Sequence, residues 1–234
     1  MTRRIALPAI IACCAVSVAA AQTVTIEPDA YAESADLTNV SPVVTLSTTL
    51  DDNVPVPIFN VTATTDTIGL APTGVRVFAH ANVFFFNNDR RLRLDFSRPI
   101  RAISIDFAGG TFFDTEIGRL EAYNALGTRI STYVTSPLGP GNTETMTLVR
   151  PQADIEYAMA YIAFGEGDFG RLDNLRITVS CPGDLNGDGV IGESDLGLLL
   201  QAWQATAGGD VDGDGDTDES DLGLLLQNWR QACV

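Results

Sequence analysis

The chain reads GDLNGDGVIGESDLGLLLQAW from Gly183 to Trp203 and GDVDGDGDTDESDLGLLLQNW from Gly209 to Trp229. The two are identical at 15 of 21 positions across an offset of 26. In the first copy Asp184, Asn186 and Asp188 alternate, Gly189 follows where the chain must turn sharply, Val190 offers its carbonyl, and Asp195 closes the loop. In the second copy the same places fall to Asp210, Asp212, Asp214, Gly215, Asp216 and Asp221. Oxygen donors at alternate positions, bent around a glycine, are what a hard cation needing six to eight oxygens requires. From Cys181 to Val234 nine Asp and two Glu face Arg230 alone. Such a run repels itself and stays disordered unless a cation neutralises it. The alternative, a solvated acidic linker, does not call for the apolar periodicity that follows each loop.

That periodicity predicts helices. Leu196, Leu199, Leu200 and Trp203 fall at i, i+3, i+4 and i+7, as do Leu222, Leu225, Leu226 and Trp229, so each stripe is expected to bury itself against the other. Ser180-Cys181-Pro182-Gly183 breaks any helix before the first loop. The unit is therefore loop then helix. Leu198 falls on the opposite face with Ser194, Gly197 and Gln201, and Leu224 repeats it beside Ser220 and Gln227. An exposed leucine at the same place in both copies points to a contact surface; the alternative is that both pack on the rest of the chain.

Duplicated calcium loops, each feeding one helix with no entering helix, resemble a type I dockerin domain over residues 181–234. Asp in place of Glu at the twelfth loop position fits that resemblance. It implies two bound Ca2+ ions and a non-catalytic module that docks a secreted protein onto a cohesin-like or other surface scaffold, often in polysaccharide breakdown. The dockerin recognition pair maps onto Glu193-Ser194 and Glu219-Ser220, the same in both copies, which implies that a partner can dock on either helix. Where dockerin helices usually carry Lys-Arg, this chain has Leu200-Gln201.

Thr2, Arg3 and Arg4, an apolar run from Ile5 to Ala20, and Ala19-Ala20-Ala21 before Gln22 read as a signal peptide over residues 1–21. Ile10-Ile11-Ala12-Cys13 loosely resembles a lipobox, but the Ala21 site is the better one. No other apolar stretch is long enough to span a bilayer, so no transmembrane anchor is expected. Secretion leaves Cys181 and Cys233, which bracket the duplication and are expected to form a disulfide in an oxidising exterior; the alternative is two buried thiols. A net charge of −16, with every basic residue an arginine, argues against a nucleic-acid partner.

Residues 22–180 read as strands. Leu92–Phe96, Ile103–Phe107 and Leu175–Val179 alternate strictly, and further strands are predicted at Thr23–Glu27, Val43–Ser47, Val75–His80, Arg119–Tyr123, Arg129–Val134, Thr145–Arg150 and Ala160–Phe164. Many short strands separated by Gly, Asn and Pro predict a mainly β protein, an antiparallel, jelly-roll-like β-sandwich carrying a small all-α unit. TIEPDAYAESADL, LRLDFSRPIRAISIDF, GRLEAYNALGTRI and GRLDNLRI together loosely resemble secreted bacterial galactose-binding-like and carbohydrate-binding-module sandwiches. By parity with Leu175, Ile177 and Val179, Asp173 is expected to point toward the core, where a carboxylate needs compensation. The resemblance implies a structural calcium held by Glu27 and Asp173; a salt bridge to an arginine is the alternative.

Catalysis finds little support. His80 is the one histidine and reads as a strand-end residue, no zinc spacing appears, and no motif singles out a carboxylate pair. Phe84, Phe85, Phe86, Phe112, Phe113, Tyr123, Tyr157, Tyr161 and Phe169 are candidates for stacking on sugars, or else for core. The sequence thus predicts a secreted, non-enzymatic glycan or surface binder delivered by a calcium-dependent docking module. A small glycoside hydrolase or lyase, and a structural surface protein without a ligand, stay as alternatives.

Overall fold

A computed structural model describes residues 21–50, 59–81, 83, 85–87, 89–110, 115–163, 169–186, 188–212, 214–231 and 233. The expected signal peptide, Phe84, Phe112 and Phe113 lie outside the described residues, except that Ala21 opens the first strand. Two compact units are present, one from Gln22 to Ser180 and one from Cys181 to Cys233.

The larger unit is built from strands β1 (Ala21–Ile26), β2 (Val44–Thr49), β3 (Val61–Thr65), β4 (Arg76–His80), β5 (Arg91–Ile100), β6 (Ala102–Ala108), β7 (Gly118–Tyr123), β8 (Arg129–Val134), β9 (Thr143–Val149), β10 (Ile155–Ile162) and β11 (Arg171–Ser180). A four-stranded sheet runs β1-β11-β6-β9, a five-stranded sheet runs β2-β5-β10-β7-β8, and β3 pairs with β4. The pairs β5–β10, β10–β7, β6–β11, β2–β5, β6–β9 and β7–β8 are all antiparallel.

Alternation sets the faces. Leu92, Leu94 and Phe96 of β5 meet Ile103, Ile105 and Phe107 of β6 and Leu175, Ile177 and Val179 of β11 in one core drawn from both sheets. Each such side chain contributes about 1.5–3 kcal/mol by leaving water. Phe107 shows how tight the packing is. A Cβ added at Gly118 or at Gly170 would come within 2.5 Å of its ring, so only glycine fits on either side. A fully buried ion pair, Arg171 Nε to Asp66 Oδ2 at 3.0 Å, ties the start of β11 to the turn after β3.

β3 has no counterpart among the predicted strands. Its sequence, VTATT, offers only Val61 and Ala63 to the core, too little apolar contrast to register as a strand. β10 begins at Ile155, five residues before the predicted start, because the Ala158 and Ala160 positions that face inward are small.

The smaller unit holds helices α1 (Glu193–Ala202) and α2 (Glu219–Gln227). Cys181, Ile191, Leu199, Val211, Leu225 and Cys233 form its core. Cys181 and Cys233 are disulfide-bonded, with Cα atoms 5.5 Å apart. No helix among the described residues is long and apolar enough to cross a membrane.

Candidate functional site

The two acidic loops adopt one hydrogen-bonding scheme, repeated at the 26-residue offset. In the first, the buried Asp195 carboxylate accepts from the Leu185, Asn186 and Gly192 backbone N–H groups at 2.8, 3.1 and 2.8 Å. In the second, Asp221 accepts from Val211, Asp212 and Asp218 at 2.6, 3.1 and 2.8 Å. Gly189 N–H donates to Asp184 Oδ2 at 3.0 Å, and Gly215 N–H to Asp210 Oδ2 at 3.0 Å. Asp188 N–H donates to Asn186 Oδ1 and Val190 N–H to Asp188 Oδ1; Asp214 to Asp212 and Asp216 to Asp214 repeat both. Gly189 and Gly215 have φ of 87° and 105°, the left-handed turn for which glycine is needed.

This scheme gathers acids. Ligand atoms of Asp184, Asp188 and Asp195 lie within 4.8 Å of one another, as do those of Asp210, Asp212 and Asp221, and of Asp216, Asp218 and Asp221. The donors are all oxygen, the set a calcium ion takes. The crowding has an electrostatic signature. The neighbouring Asp214 carboxylate foremost, with burial, Asp218, Asp221 and Asp212, pushes the Asp216 carboxyl up. Asp212 also ends above its ordinary value: the Asp214 N–H pulls it down, but burial and the charges of Asp214, Asp221 and Asp210 outweigh that.

The copies are also locked to each other. Gln204, just past α1, donates its N–H to the Thr217 carbonyl of the second loop at 3.0 Å, and Arg230, just past α2, donates to the Ile191 carbonyl of the first at 2.8 Å. Both residues take positive φ, 51° and 62°. The disulfide enters on one side only. Cys233 N–H donates to the Gly189 carbonyl at 2.9 Å, and its sulfur lies 3.5 Å from Asp184 Oδ2.

The helices are rotated from the orientation the leucine stripes predict. Leu199 and Leu225 are fully buried, but Leu200 and Leu226 are 53% and 51% exposed. Asp195 must point into the loop, and Leu199 and Ala202 fall within about 60° of it around the helix. The loop carboxylate, not the stripe, therefore fixes which face turns inward, and Leu200 swings out. Glu193, Ser194, Gln201, Glu219, Ser220 and Gln227 are exposed as expected, and Leu198 is exposed too. Leu224 is a correction: it is half-buried, packed with Leu222 and Trp229 against the unit's core, rather than exposed like Leu198.

In the larger unit, Asp173 corrects the parity argument. β11 pairs with β6 as Asp173↔Asp106 and then Arg176↔Ser104, so one extra residue bulges out, with Asn174 at φ 48°. A bulge reverses the alternation. Asp173 consequently shares the face of Asp106, away from the core, and is buried there by another segment. Thr73 donates to Asp173 Oδ2 from its N–H at 2.9 Å and its hydroxyl at 2.7 Å, and Asn174 N–H donates to Oδ1 at 2.8 Å. Thr73 Oγ1 also lies 3.0 Å from Glu27 Oε2, so one hydroxyl joins the two carboxylates. Burial, against the pull of Thr73 and reinforced by Glu27, pushes the Asp173 carboxyl up to about 7. The arginine alternative is not what forms: Arg176 pairs with Asp106 at 3.0 Å. Two acids brought together in this way can share a proton or a cation.

Of the candidate aromatics, Phe86, Tyr123 and Tyr161 are buried, Phe85 and Tyr157 half-buried and Phe169 exposed. His80 ends β4, buried between Phe59 and Phe86. Burial and the charge of Arg90 lower its pKa to about 4. Arg91 and Arg93 stand over the Tyr161 and Tyr157 rings; in the sequence they are marked only by alternation with Leu92 and Leu94, which names no cross-strand partner.

No family model matches the chain, and no curated protein matches it. Among solved structures it is similar to the K2 cleaved adhesin domain of Lys-gingipain, at 12% identity and a TM-score of 0.45 over 67% of this chain and 99% of that one. It is also similar to a glycoside hydrolase family 43 arabinoxylan arabinofuranohydrolase from Bacillus subtilis, at 13% identity and 0.33, over 50% of this chain and 25% of that one. A third is the catalytic domain of a GH87 α-1,3-glucanase, at 11% and 0.32, over 62% and 29%. The chain spans less than a third of the two hydrolases. Likeness at this level says nothing about activity.

Proposed function

We propose that the unit from Cys181 to Cys233 is a two-ion calcium module of the dockerin kind, which attaches a non-catalytic, carbohydrate-contacting β body to a cohesin-like or other surface scaffold outside the cell. The observation that carries this reading is the hydrogen-bonding scheme written twice at one offset, with Asp195 and Asp221 buried at its centre. Asp184, Asn186, Asp188, the Val190 carbonyl and Asp195 hold one Ca2+ ion; Asp210, Asp212, Asp214, the Asp216 carbonyl and Asp221 hold the other. The ions cancel repulsion that would otherwise open the loops, so docking depends on calcium. The exposed leucines Leu198, Leu200 and Leu226, beside Glu193-Ser194 and Glu219-Ser220, supply the apolar part of the contact. The disulfide supports an oxidising compartment. A third cation at Glu27 and Asp173 would fasten the first and last strands of the body.

Calorimetry on the full chain tests the module: two calcium ions bind, helicity rises, and capture on immobilised cohesin domains disappears in chelator. Leu198→Asp and Leu200→Asp together with Leu226→Asp, which alter both helices, reduce capture without changing the ion count. A chain that takes up no calcium, or that docks equally well after exhaustive chelation, refutes the reading. A glycan array showing binding without turnover tests the body.

A further inference from the structure

The two large sheets end in four edge strands, β1, β9, β2 and β8. An edge is a row of backbone groups ready to pair with another chain, unless a charge, a proline, a bulge or a covering segment prevents it. The β2 edge is covered by the segment before it: Leu46 N–H donates to the Thr38 carbonyl at 2.8 Å, and Ser41 bridges to Val44. β8 is bulged. Ile130 is an extra residue between the pairs Ala122↔Ser131 and Tyr123↔Arg129, and its carbonyl accepts from Arg150 Nη1 at 3.3 Å. β9 carries none of these protections. It pairs with β6 without a register shift, from Thr143↔Ala108 to Val149↔Ala102. Its sequence, TETMTLV, holds no proline and no cation.

Parity shows which groups of β9 face outward. Arg150 N–H donates to the Arg101 carbonyl at 2.9 Å, and Gly109 N–H to the Asn142 carbonyl at 3.0 Å. Both pairs continue the β6–β9 register, so Glu144, Met146 and Leu148 aim their backbone groups at β6. Thr143, Thr145, Thr147 and Val149 therefore aim theirs away from the sheet. Among the described residues none bonds to those groups. The same four side chains are exposed, Val149 at 65%. All four are β-branched, which suits a strand laid alongside.

The strand is complementary to itself. Around a two-fold axis at Met146, Thr143 opposes Val149 of a second copy and Thr145 opposes Thr147. Each of these is a pair of outward-facing residues, so roughly eight backbone hydrogen bonds close. Glu144, held by the Tyr133 hydroxyl at 2.8 Å and the Ser136 hydroxyl at 3.0 Å, faces Leu148 of the second copy and not a like charge. Other registers are worse. A slip of one residue sets outward groups against groups already bonded to β6. An axis at Thr145 or Thr147 leaves Val149 or Thr143 without a partner, and an axis at Glu144 opposes the two carboxylates.

We propose that β9 is a homodimer seam, pairing antiparallel with β9 of a second copy and joining the two four-stranded sheets into one. The proposal is independent of the calcium and carbohydrate readings. A dimer doubles the valency of both units of the chain.

Sedimentation of the full chain with calcium, from roughly micromolar to millimolar concentration, tests it. A reversible monomer–dimer equilibrium is expected, weak because a seam one strand wide is small. Thr147→Pro removes an outward N–H that β6 does not use, and should weaken the dimer at least about tenfold. Thr143→Lys with Val149→Lys should give a monomer, and mixing it with the Thr143→Asp, Val149→Asp chain should restore a mixed dimer. Thr143→Cys with Val149→Cys should cross-link two chains under mild oxidation, since bonded antiparallel pairs hold their Cα atoms about 5.5 Å apart, within disulfide reach. Thr25→Lys on β1, and Leu200→Asp with Leu226→Asp on the helices, should leave the dimer unchanged. Thermal melts separate lost pairing from lost folding. A chain that stays monomeric throughout, a dimer that survives Thr147→Pro and the Thr143→Lys, Val149→Lys pair, or one lost on changing β1 or the helices overturns the proposal.

Discussion

Replacing Asp195 by Ala removes the centre of the first loop. Three backbone N–H groups, those of Leu185, Asn186 and Gly192, lose their acceptor together. Hydrogen bonds to a charged group contribute about 1.5–3 kcal/mol each, so the loss is at least about 4 kcal/mol. A unit this small holds roughly 3–5 kcal/mol in all. The Asp195→Ala chain is therefore expected to have an unfolded C-terminal unit in chelator, and with calcium to bind one ion instead of two. Asp221→Ala removes the same set of bonds from the second loop and should cost the same amount. Calorimetric stoichiometry and the helical circular dichroism signal, measured with and without calcium, read both effects. If Asp195→Ala still takes up two ions, or melts with the parent, then that carboxylate is not what organises the loop and the argument from the repeated scheme fails.

Three further outcomes follow from the same geometry. Reducing the disulfide opens a covalent loop of sequence separation 52, which should destabilise the C-terminal unit by about 4 kcal/mol; because Cys233 is bonded to Gly189, calcium titration should show the first site weakening more than the second. His80 has a folded pKa of about 4 against an ordinary 6.5, so the unfolded chain binds more protons between those values. Its contribution is intact above pH 6.5 and is lost as pH falls to 4, at most about 3 kcal/mol, and His80→Phe should flatten that part of the stability–pH curve measured by denaturant melts. Arg171→Ala leaves Asp66 buried without its main partner and should cost about 3–5 kcal/mol, while Arg171→Met with Asp66→Leu should cost less, as read from denaturation midpoints.

Much of this architecture was legible in the chain itself, because local pattern and local physics agree there. Strict alternation in β5 and β6 set their faces, and the duplicated acids around Gly189 and Gly215 set the loops, since a two-residue period and a left-handed turn depend on neighbours in sequence. What depended on contacts between distant segments was not legible. The bulge at Asn174 turned Asp173 away from the core and under Thr73, a residue 100 positions away. The inward pull of Asp195 and Asp221 rotated both helices, so that Leu200 and Leu226 face out although their spacing predicts core. The guanidinium–tyrosine contacts arose because β5 and β10 lie side by side, and strand order is a long-range choice that periodicity does not encode. Sequence determined which residues alternate and which loops gather oxygen; tertiary structure decided which of those side chains meet, because burial and pairing are properties of the assembled sheets.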